Sequence, residues 1–294
     1  MKWLRYRADM QTVVYMLVAT AVAVAHWRLD GFSVWLLAAG IVMAFSISAM
    51  HHNHAHVPIW TSSRLNQVTD LWFTLFQGHP GFAFEIMHVQ NHHRYHNGPD
   101  DLTRTYLHHD SNNLPGLLMH PVAFASGAMP CVLERVRQIY HDDRKRFAGI
   151  AVHYFLLIAV DAALFWADLW KALYCVLAPQ VAALYFLLIS NYLQHAHADS
   201  RSDFNHSRNF MGLINPLCFN VGYHTAHHHN PALHWSGLPA LHRVIAPRIA
   251  PQLNEPSFLW YCLRVFVIGL CVRRCQTAPL QYDAIHLTAK SGSP

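Results

Sequence analysis

Four long apolar stretches, which together contain one charged residue (Asp161), dominate the pattern of the sequence. They lie at about residues 11–27, 32–50, 147–166 and 172–193. The second stretch, FSVWLLAAGIVMAFSISAM, is nineteen residues long. A helix of that length spans about 28 Å at ~1.5 Å per residue, close to the ~30 Å hydrocarbon core of a bilayer. The pattern therefore predicts four transmembrane helices.

Short polar turns join these stretches in pairs, so each pair predicts a helical hairpin. RLDG separates the first two stretches, and a turn around ADLWK joins the last two. Basic residues are rare in these turns and frequent before, between and after the hairpins. By the positive-inside rule, both termini and the region between the hairpins face the cytoplasm.

The predicted fold is therefore an all-α integral membrane protein with a single domain over residues 1–294. Two transmembrane hairpins carry a cytoplasmic, histidine-rich helical cap, formed by residues 51–146 and 194–294. We expect a multi-pass protein of the bacterial inner membrane, with the lipid bilayer as its surroundings.

The composition agrees with a membrane protein and adds one unusual feature. Hydrophobic residues make up 53% and charged residues 13% of the chain, against about 25% charged in soluble domains. The 25 histidines outnumber the 21 lysines and arginines. The six cysteines form no C-x-x-C pair, which argues against a disulfide framework, a zinc ribbon or a built-in rubredoxin. We expect no nucleic-acid partner.

The histidines form four clusters, all on the predicted cytoplasmic side. These are HHNHAH (51–56), HVQNHHRYH (88–96), NYLQHAH (191–197) and HTAHHH (224–229). Within them, residues four apart recur, and on a helix such pairs project from one face about 5–6 Å apart. Neutral imidazole is a good ligand for transition metals. The nine best-spaced side chains exceed what one ion needs and indicate two metals: His52, His56, His88, His92, His93, His195, His224, His227 and His228.

These clusters resemble the three histidine boxes of the membrane fatty acid desaturase superfamily, which includes related hydroxylases. The boxes H-x(3–4)-H, H-x(2–3)-H-H and H-x-x-H-H correspond to HNHAH, HVQNHH and HTAHH, in that order. The N-x-x-x-H element of some members resembles Asn191–His195. Box one begins at His51 or His52, and His54 is a further candidate. The following RLN favours His52.

The resemblance implies a non-haem centre of two iron ions, held by the nine histidines, that uses O₂ to attack an unactivated C–H bond. It implies a fatty acyl or other lipid-like substrate and a separate electron donor of ferredoxin, rubredoxin or cytochrome type. No catalytic residue separate from the metal ligands is expected. Desaturation ranks first, hydroxylation second and oxidative decarboxylation to a terminal alkene third. Further polar residues near the boxes are expected to support the ligands: Glu85, His96, Asp100, Asp101, His197, Asp199 and His229.

A histidine-rich metal transporter is the alternative of a different class. Transporters place polar ligands at the middle of the bilayer, often on interrupted helices. Asp161, His153 and Pro179 lie inside predicted spans, and Asp161 is the best candidate for such a role. The simpler interpretation is that Asp161 pairs with another polar residue across the bundle.

Overall fold

The computed structural model describes residues 3–107 and 110–280, and these residues are mostly helical. Two short strands, β1 (Asn209–Phe210) and β2 (Asn254–Glu255), pair in parallel. The α-helices are α1 (Met10–Arg28), α2 (Val34–His56), α3 (Ser63–Gln77), α4 (Gly81–Phe84), α5 (His93–Tyr95), α6 (Leu114–Asp142), α7 (Arg144–Ala167), α8 (Leu169–Ala172), α9 (Ala178–His195), α10 (Ile214–Leu217), α11 (His224–His229), α12 (Leu238–Ile245) and α13 (Phe258–Cys262).

Tighter and wider helical turns extend several of these helices. π-Helical turns cover Glu85–His92, Leu173–Leu177 and Leu263–Val267. The 3₁₀ turns are Arg7–Asp9, Trp235–Gly237, Ala246–Arg248, Pro251–Leu253, Ile268–Leu270 and Arg273–Cys275. The first π-helical turn carries part of the second histidine box. This matters for the site because a π-helical turn changes which side chains share a face.

Five helices within the described residues are long and apolar enough to cross a membrane. They are Arg7–Arg28, Val34–His56, Leu114–Asp142, Arg144–Ala167 and Leu169–His195. Four of them match the predicted spans, but Leu114–Asp142 falls where the sequence predicts cytoplasmic cap. The predicted number of four is therefore not confirmed. The sequence pattern hid this helix because Pro115, Pro121 and Pro130 interrupt it; a proline fits the first turn of a helix, and membrane helices tolerate prolines further inside.

The second span continues beyond its predicted end at residue 50. α2 begins after Ser33, whose hydroxyl oxygen accepts a hydrogen bond from Leu36 N at 3.3 Å. It then runs through HHNHAH and ends at His56. The first histidine box therefore lies on the last turns of the spanning helix itself, and not in a segment that follows it.

The described residues form two compact units. Unit 1 comprises Met1–Ile86 and Pro130–Leu187, and unit 2 comprises Met87–Met129 and Leu188–Pro294, each within the described ranges. The expectation of one domain over residues 1–294 stays a prediction.

In unit 1, the turns of the two predicted hairpins lie together. Lys171 Nζ donates to Trp27 O at 3.0 Å, close to the turn between α1 and α2. Ser48 Oγ joins α2 to α9 by a hydrogen bond to Ala183 O at 2.7 Å. Large apolar side chains point outward, among them Trp35 (82% exposed) and Trp166 (94% exposed). Exposed tryptophans near helix ends are typical of membrane interfaces, so the unit has the surface of an integral membrane protein.

Unit 2 contains an aromatic and aliphatic core around the end of α9. It includes Tyr192, Leu193, Ala196, Phe210, Tyr261, Val265 and Phe266. Tyr192 and Tyr261 are 1% and 0% exposed. Because α9 ends in this core, its last residue, His195, is held in a rigid environment.

Candidate metal centre

Four buried histidines of unit 2 bring their Nε2 atoms together, and we call them the four-histidine cluster. The Nε2–Nε2 distances are 3.1 Å for His92–His195, 2.9 Å for His195–His224 and 3.1 Å for His224–His228. One nitrogen of each side chain lies within 4.8 Å of one nitrogen of every other. Their geometry is that of a metal-ligand set drawn from three separate elements.

Each histidine of the cluster has a defined position in its own element. His195 is the last residue of α9, and His92 ends the π-helical turn Glu85–His92. His224 and His228 lie one turn apart on α11, a six-residue helix. The expected i,i+4 geometry of this last pair is confirmed, because both side chains point into the same cluster.

A second group in unit 2, the histidine trio, consists of His88, His93 and His227. His93 Nε2 lies 3.0 Å from His88 Nε2 and 3.0 Å from His227 Nε2. His88 and His92 are four residues apart and were expected to share a helix face, but they point to different groups. In the π-helical turn, it is residue i+5, His93, that meets His88. The second box therefore supplies both groups.

In unit 1, the neighbouring histidines of box one have different contacts. His51 Nδ1 hydrogen-bonds Gln77 Oε1. His54 Nδ1 accepts from Ile59 N at 3.2 Å, and its Nε2 lies 3.2 Å from an Asp70 carboxylate oxygen. The rings of His52 and His56 lie side by side, with their centroids 5.1 Å apart. Box one therefore presents His52 and His56 together, while His51 and His54 hydrogen-bond within the unit.

Asp101 orients His92 through a buried carboxylate with four hydrogen bonds. Oδ2 accepts from His92 Nδ1 at 2.6 Å and from Asn97 N at 2.7 Å. Oδ1 accepts from Thr103 N at 2.7 Å and from Thr103 Oγ1 at 2.8 Å. His96 and Asn97 turn the chain back by adopting φ values of 46° and 65°. The hydrogen bond to Nδ1 leaves His92 Nε2 as the atom available to a metal.

Electrostatics favour the ionised carboxylate and the neutral imidazole in this region. Burial by itself would raise the pKa of Asp101, but the adjacent His92 and the hydrogen bonds from His92 and Thr103 outweigh it and lower that pKa. Burial lowers the pKa of His228, and the neighbouring His93 and His224 add to the shift. A neutral imidazole has a lone pair to donate, which is the form that binds metal.

A family model described as fatty acid desaturase matches residues 30–260, which is most of the chain. The chain belongs to the fatty acid desaturase family. A comparison with curated proteins finds no match. Membership in the desaturase family implies an oxidoreductase, and it agrees with the resemblance drawn from the three histidine boxes.

The residues of the four-histidine cluster fit the iron that the desaturase family uses. His92 Nδ1 donates to Asp101, and His195 Nδ1 donates to His206 O at 2.8 Å. When both imidazoles are neutral, their Nε2 lone pairs face one another at 3.1 Å. Two lone pairs at that distance repel unless a cation lies between them, and imidazole nitrogen suits Fe among the transition metals. Both groups of histidines are therefore able to bind metal.

Of the residues expected to support the ligands, some contact a ligand histidine and others have different partners. Asp101, one of the acidic residues predicted to support the ligands, is the partner of His92. His96 packs its ring against that of His228, with the centroids 5.1 Å apart. Glu85 instead forms an ion pair with Arg146 at 3.0 Å, and His197 Nδ1 hydrogen-bonds Thr277 Oγ1 at 2.7 Å.

Other supporting residues were not anticipated from the sequence. Thr103 and Asn97 complete the contacts of Asp101, and the backbone oxygen of His206 holds His195. Asn191, the first residue of the N-x-x-x-H element, donates from Nδ2 to Thr103 O at 2.7 Å. A threonine, an asparagine and a backbone carbonyl carry no metal-binding pattern, so only their position in the fold reveals their role.

Proposed function

We propose that this protein is a membrane di-iron oxidase that uses O₂ and external electrons to desaturate a fatty acyl chain. The observation that carries the proposal is the convergence of four buried histidine nitrogens, from three elements, in a member of the desaturase family. All four belong to the nine histidines that the sequence predicts as metal ligands.

The proposed ligands of one iron are the four-histidine cluster. The proposed ligands of the second iron include the histidine trio, with His52 and His56 added from box one by the histidine-box resemblance. The contacts of His51 and His54 within unit 1 support the choice of His52 as the start of that box. His92 and His195 are held as Nε2 ligands by hydrogen bonds at Nδ1.

The iron pair, when bound, supplies the chemistry that activates O₂ and removes hydrogen from an unactivated C–H bond. Desaturation removes two hydrogen atoms from adjacent carbons, and the two carbons form a double bond. Those hydrogens, two protons and two external electrons reduce O₂ to two molecules of water. The protein's own contribution is to hold the ligands, as Asp101 does for His92.

The interior of unit 1 supports the proposal of a lipid-like substrate. A cavity of about 200 Å³ lies among the spanning helices, and its lining is mainly apolar, with residues such as Met43, Ile47 and Leu164. Space of this kind suits an alkyl chain. At the cavity, Gln180 Nε2 donates to Asp161 at 3.2 Å. This pairing favours the structural role of Asp161 over a role in metal transport.

The proposal also includes the membrane location of the protein and the source of its electrons. The distribution of basic residues supports a site at the cytoplasmic side of the bacterial inner membrane. The sequence has no C-x-x-C pair, which supports a separate ferredoxin, rubredoxin or cytochrome as the donor. The excess of Lys and Arg over Asp and Glu favours an acidic protein partner.

The test is mass spectrometry of lipids and volatiles from cells that express the protein with an electron donor and iron. The comparisons are His92→Ala and His242→Ala; His242 is a buried histidine that packs against the Tyr223 ring, outside both groups. We expect a product two hydrogens lighter than its parent with the wild type and with His242→Ala, and none with His92→Ala.

Other products would redirect the proposal. A product one oxygen heavier would identify a hydroxylase, and a terminal alkene one carbon shorter would identify a decarboxylase. Equal product levels in wild type and His92→Ala would contradict the metal assignment.

A further inference from the structure

A short segment outside the histidine boxes contacts two elements that carry ligands. It is His206-Ser207-Arg208-Asn209, which we call the HSRN segment. Its residues are 2%, 0%, 2% and 0% exposed. The segment lies in unit 2, between α9 and α11 in the chain. Complete burial of four consecutive polar residues is costly unless each is hydrogen-bonded, so their partners indicate what they do.

Two residues of the segment hold the end of α9. His206 O accepts the hydrogen bond from His195 Nδ1 at 2.8 Å. Arg208 N donates to Gln194 O at 2.6 Å. Arg208 Nη1 donates to Leu193 O at 2.9 Å and to Ala196 O at 3.1 Å. The guanidinium charge lies where carbonyl groups at a helix C-terminus carry partial negative charge, so it fixes the last turn that carries His195.

The other two residues of the segment, Ser207 and Asn209, hold Thr225, the neighbour of His224 on α11. Asn209 Oδ1 accepts from Thr225 N at 2.9 Å, and Asn209 Nδ2 donates to Thr225 Oγ1 at 2.9 Å. Thr225 Oγ1 donates to Ser207 O at 3.1 Å, and the Ser207 hydroxyl lies 2.9 Å from it. The hydroxyl of Thr225 therefore has one acceptor and two donors, which is its full capacity.

The opposite directions of Arg208 and Asn209 agree with the chain becoming extended as it enters β1. Successive side chains of an extended chain point to opposite sides, and Asn209 begins β1. Arg208 thus reaches α9, while Ser207 and Asn209 reach α11. One segment of four residues is bonded to both elements, whose ligand atoms His195 Nε2 and His224 Nε2 lie 2.9 Å apart.

We propose that the HSRN segment is a positioning element that sets the separation of His195 and His224, and with it the metal affinity of the four-histidine cluster. The inference rests on the proposed function only in taking these histidines as metal ligands. Groups that orient metal ligands from outside the ligand set typically contribute 10–100-fold in metal affinity. An element that served only to stabilise the fold would leave the affinity of folded protein unchanged.

The experiment is titration of the metal-free, full-length protein with Co²⁺, followed by its visible absorption and by competition with a chelator. Thr225→Val removes the hydroxyl that the segment binds, whereas Thr225→Ser keeps it. We expect Thr225→Val to weaken one of two bound Co²⁺ by about 10–100-fold and to change its absorption. Thr225→Ser restores most of the affinity, and Ser207→Ala, which removes a single hydrogen-bonding group, gives a smaller loss in the same site.

The matched control is Arg264→Gln. Arg264, like Arg208, lies beside the Tyr261 ring, at 5.7 Å and 4.8 Å respectively. It pairs with Glu255 at 2.6 Å and donates to Cys275 O at 3.1 Å. We expect Arg264→Gln to lower thermal stability with unchanged Co²⁺ affinity, and Arg208→Lys, which loses the planar fork, to weaken Co²⁺ binding.

The outcomes separate this inference from the proposed function. If Thr225→Val and Arg208→Lys bind two Co²⁺ with wild-type affinity and absorption, the segment has no positioning role. If Thr225→Val does not fold, Ser207→Ala decides the question by the same measurement. If the wild type binds two Co²⁺ as expected but yields no oxidised lipid product, the proposed function fails while the positioning role stands.

Discussion

Replacing Asp101 by asparagine tests how His92 is held as a metal ligand. The carboxylate accepts two hydrogen bonds at each oxygen, from His92 and Asn97 at one and from Thr103 at the other. An asparagine side chain has one oxygen and one NH₂ group. Either orientation therefore places an NH₂ group against two donors. With the NH₂ group beside His92, the imidazole must accept at Nδ1, and its proton moves to Nε2, where the metal would bind.

The size of the effect follows from the hydrogen bonds that are lost. In either orientation one backbone N–H, that of Asn97 or that of Thr103, is left without its acceptor. A buried donor in that state costs about 1–3 kcal/mol of stability. This is a large share of the roughly 5–15 kcal/mol that stabilises a typical domain. For the metal, we expect a loss of about 10–100-fold in affinity, or about 1.4–2.8 kcal/mol. The loss should fall on the iron of the four-histidine cluster.

The assay combines iron content per chain with thermal unfolding of the purified protein in detergent. Thr103→Val is the graded variant, because it removes one side-chain hydrogen bond of the carboxylate and leaves Oδ2 with His92. Asp199→Asn is the control; its carboxylate accepts from Arg201 N at 3.0 Å in a loop. Asp101→Asn protein with wild-type iron content and wild-type affinity would refute the reasoning.

Three further predictions concern pH, packing and the rival function. Burial lowers the pKa of His206 from 6.5 to about 4. The neutral form is favoured in the fold, so His206 should contribute roughly 3 kcal/mol to the stability of metal-free protein above pH 6.5, and this contribution is lost between pH 6.5 and 4. His206→Phe should remove that part of the pH dependence of thermal unfolding. Gly222→Ala places its Cβ against Phe210 O and 2.6 Å from Asn215 Oδ1; it should cost about 1–3 kcal/mol or more. Gly149→Ala, on α7 with open space around the new Cβ, should not lower the melting temperature and should raise it slightly, because alanine favours a helix over glycine. Asp161→Asn keeps an oxygen for Gln180 and should retain wild-type iron content, while a metal transporter would lose metal flux in a vesicle uptake assay.

Hydropathy predicted four of the five helices that, among the described residues, are long and apolar enough to cross a membrane. Four spans stood out because each is a continuous apolar stretch. The helix Leu114–Asp142 did not, because its three prolines and its polar end resemble a loop in sequence. α2 extends through HHNHAH because the backbone hydrogen bonds of a helix continue regardless of side-chain polarity. Hydropathy locates apolar length, but it does not locate where a helix ends.

Spacing predicted that histidines of the second and third boxes converge. It did not predict how they divide between the four-histidine cluster and the histidine trio. On an α-helix, His88 and His92 would share a face. The π-helical turn sends His92 to the four-histidine cluster and brings His93 to His88. The supporting residues were harder still, because Thr103 and Arg208 act through contacts with chain segments far away in sequence. Their residue types are common, and only the folded chain gives them a role.

Iron content of the purified protein is the most direct test of the central claim, that the histidine groups hold a pair of irons. It should be measured per chain for the wild type and for His228→Ala, with His242→Ala as control. We expect two irons in the wild type and in His242→Ala, and fewer in His228→Ala protein that still folds. A wild-type protein that holds fewer than two irons after reconstitution, or a His228→Ala protein that holds both, would contradict it.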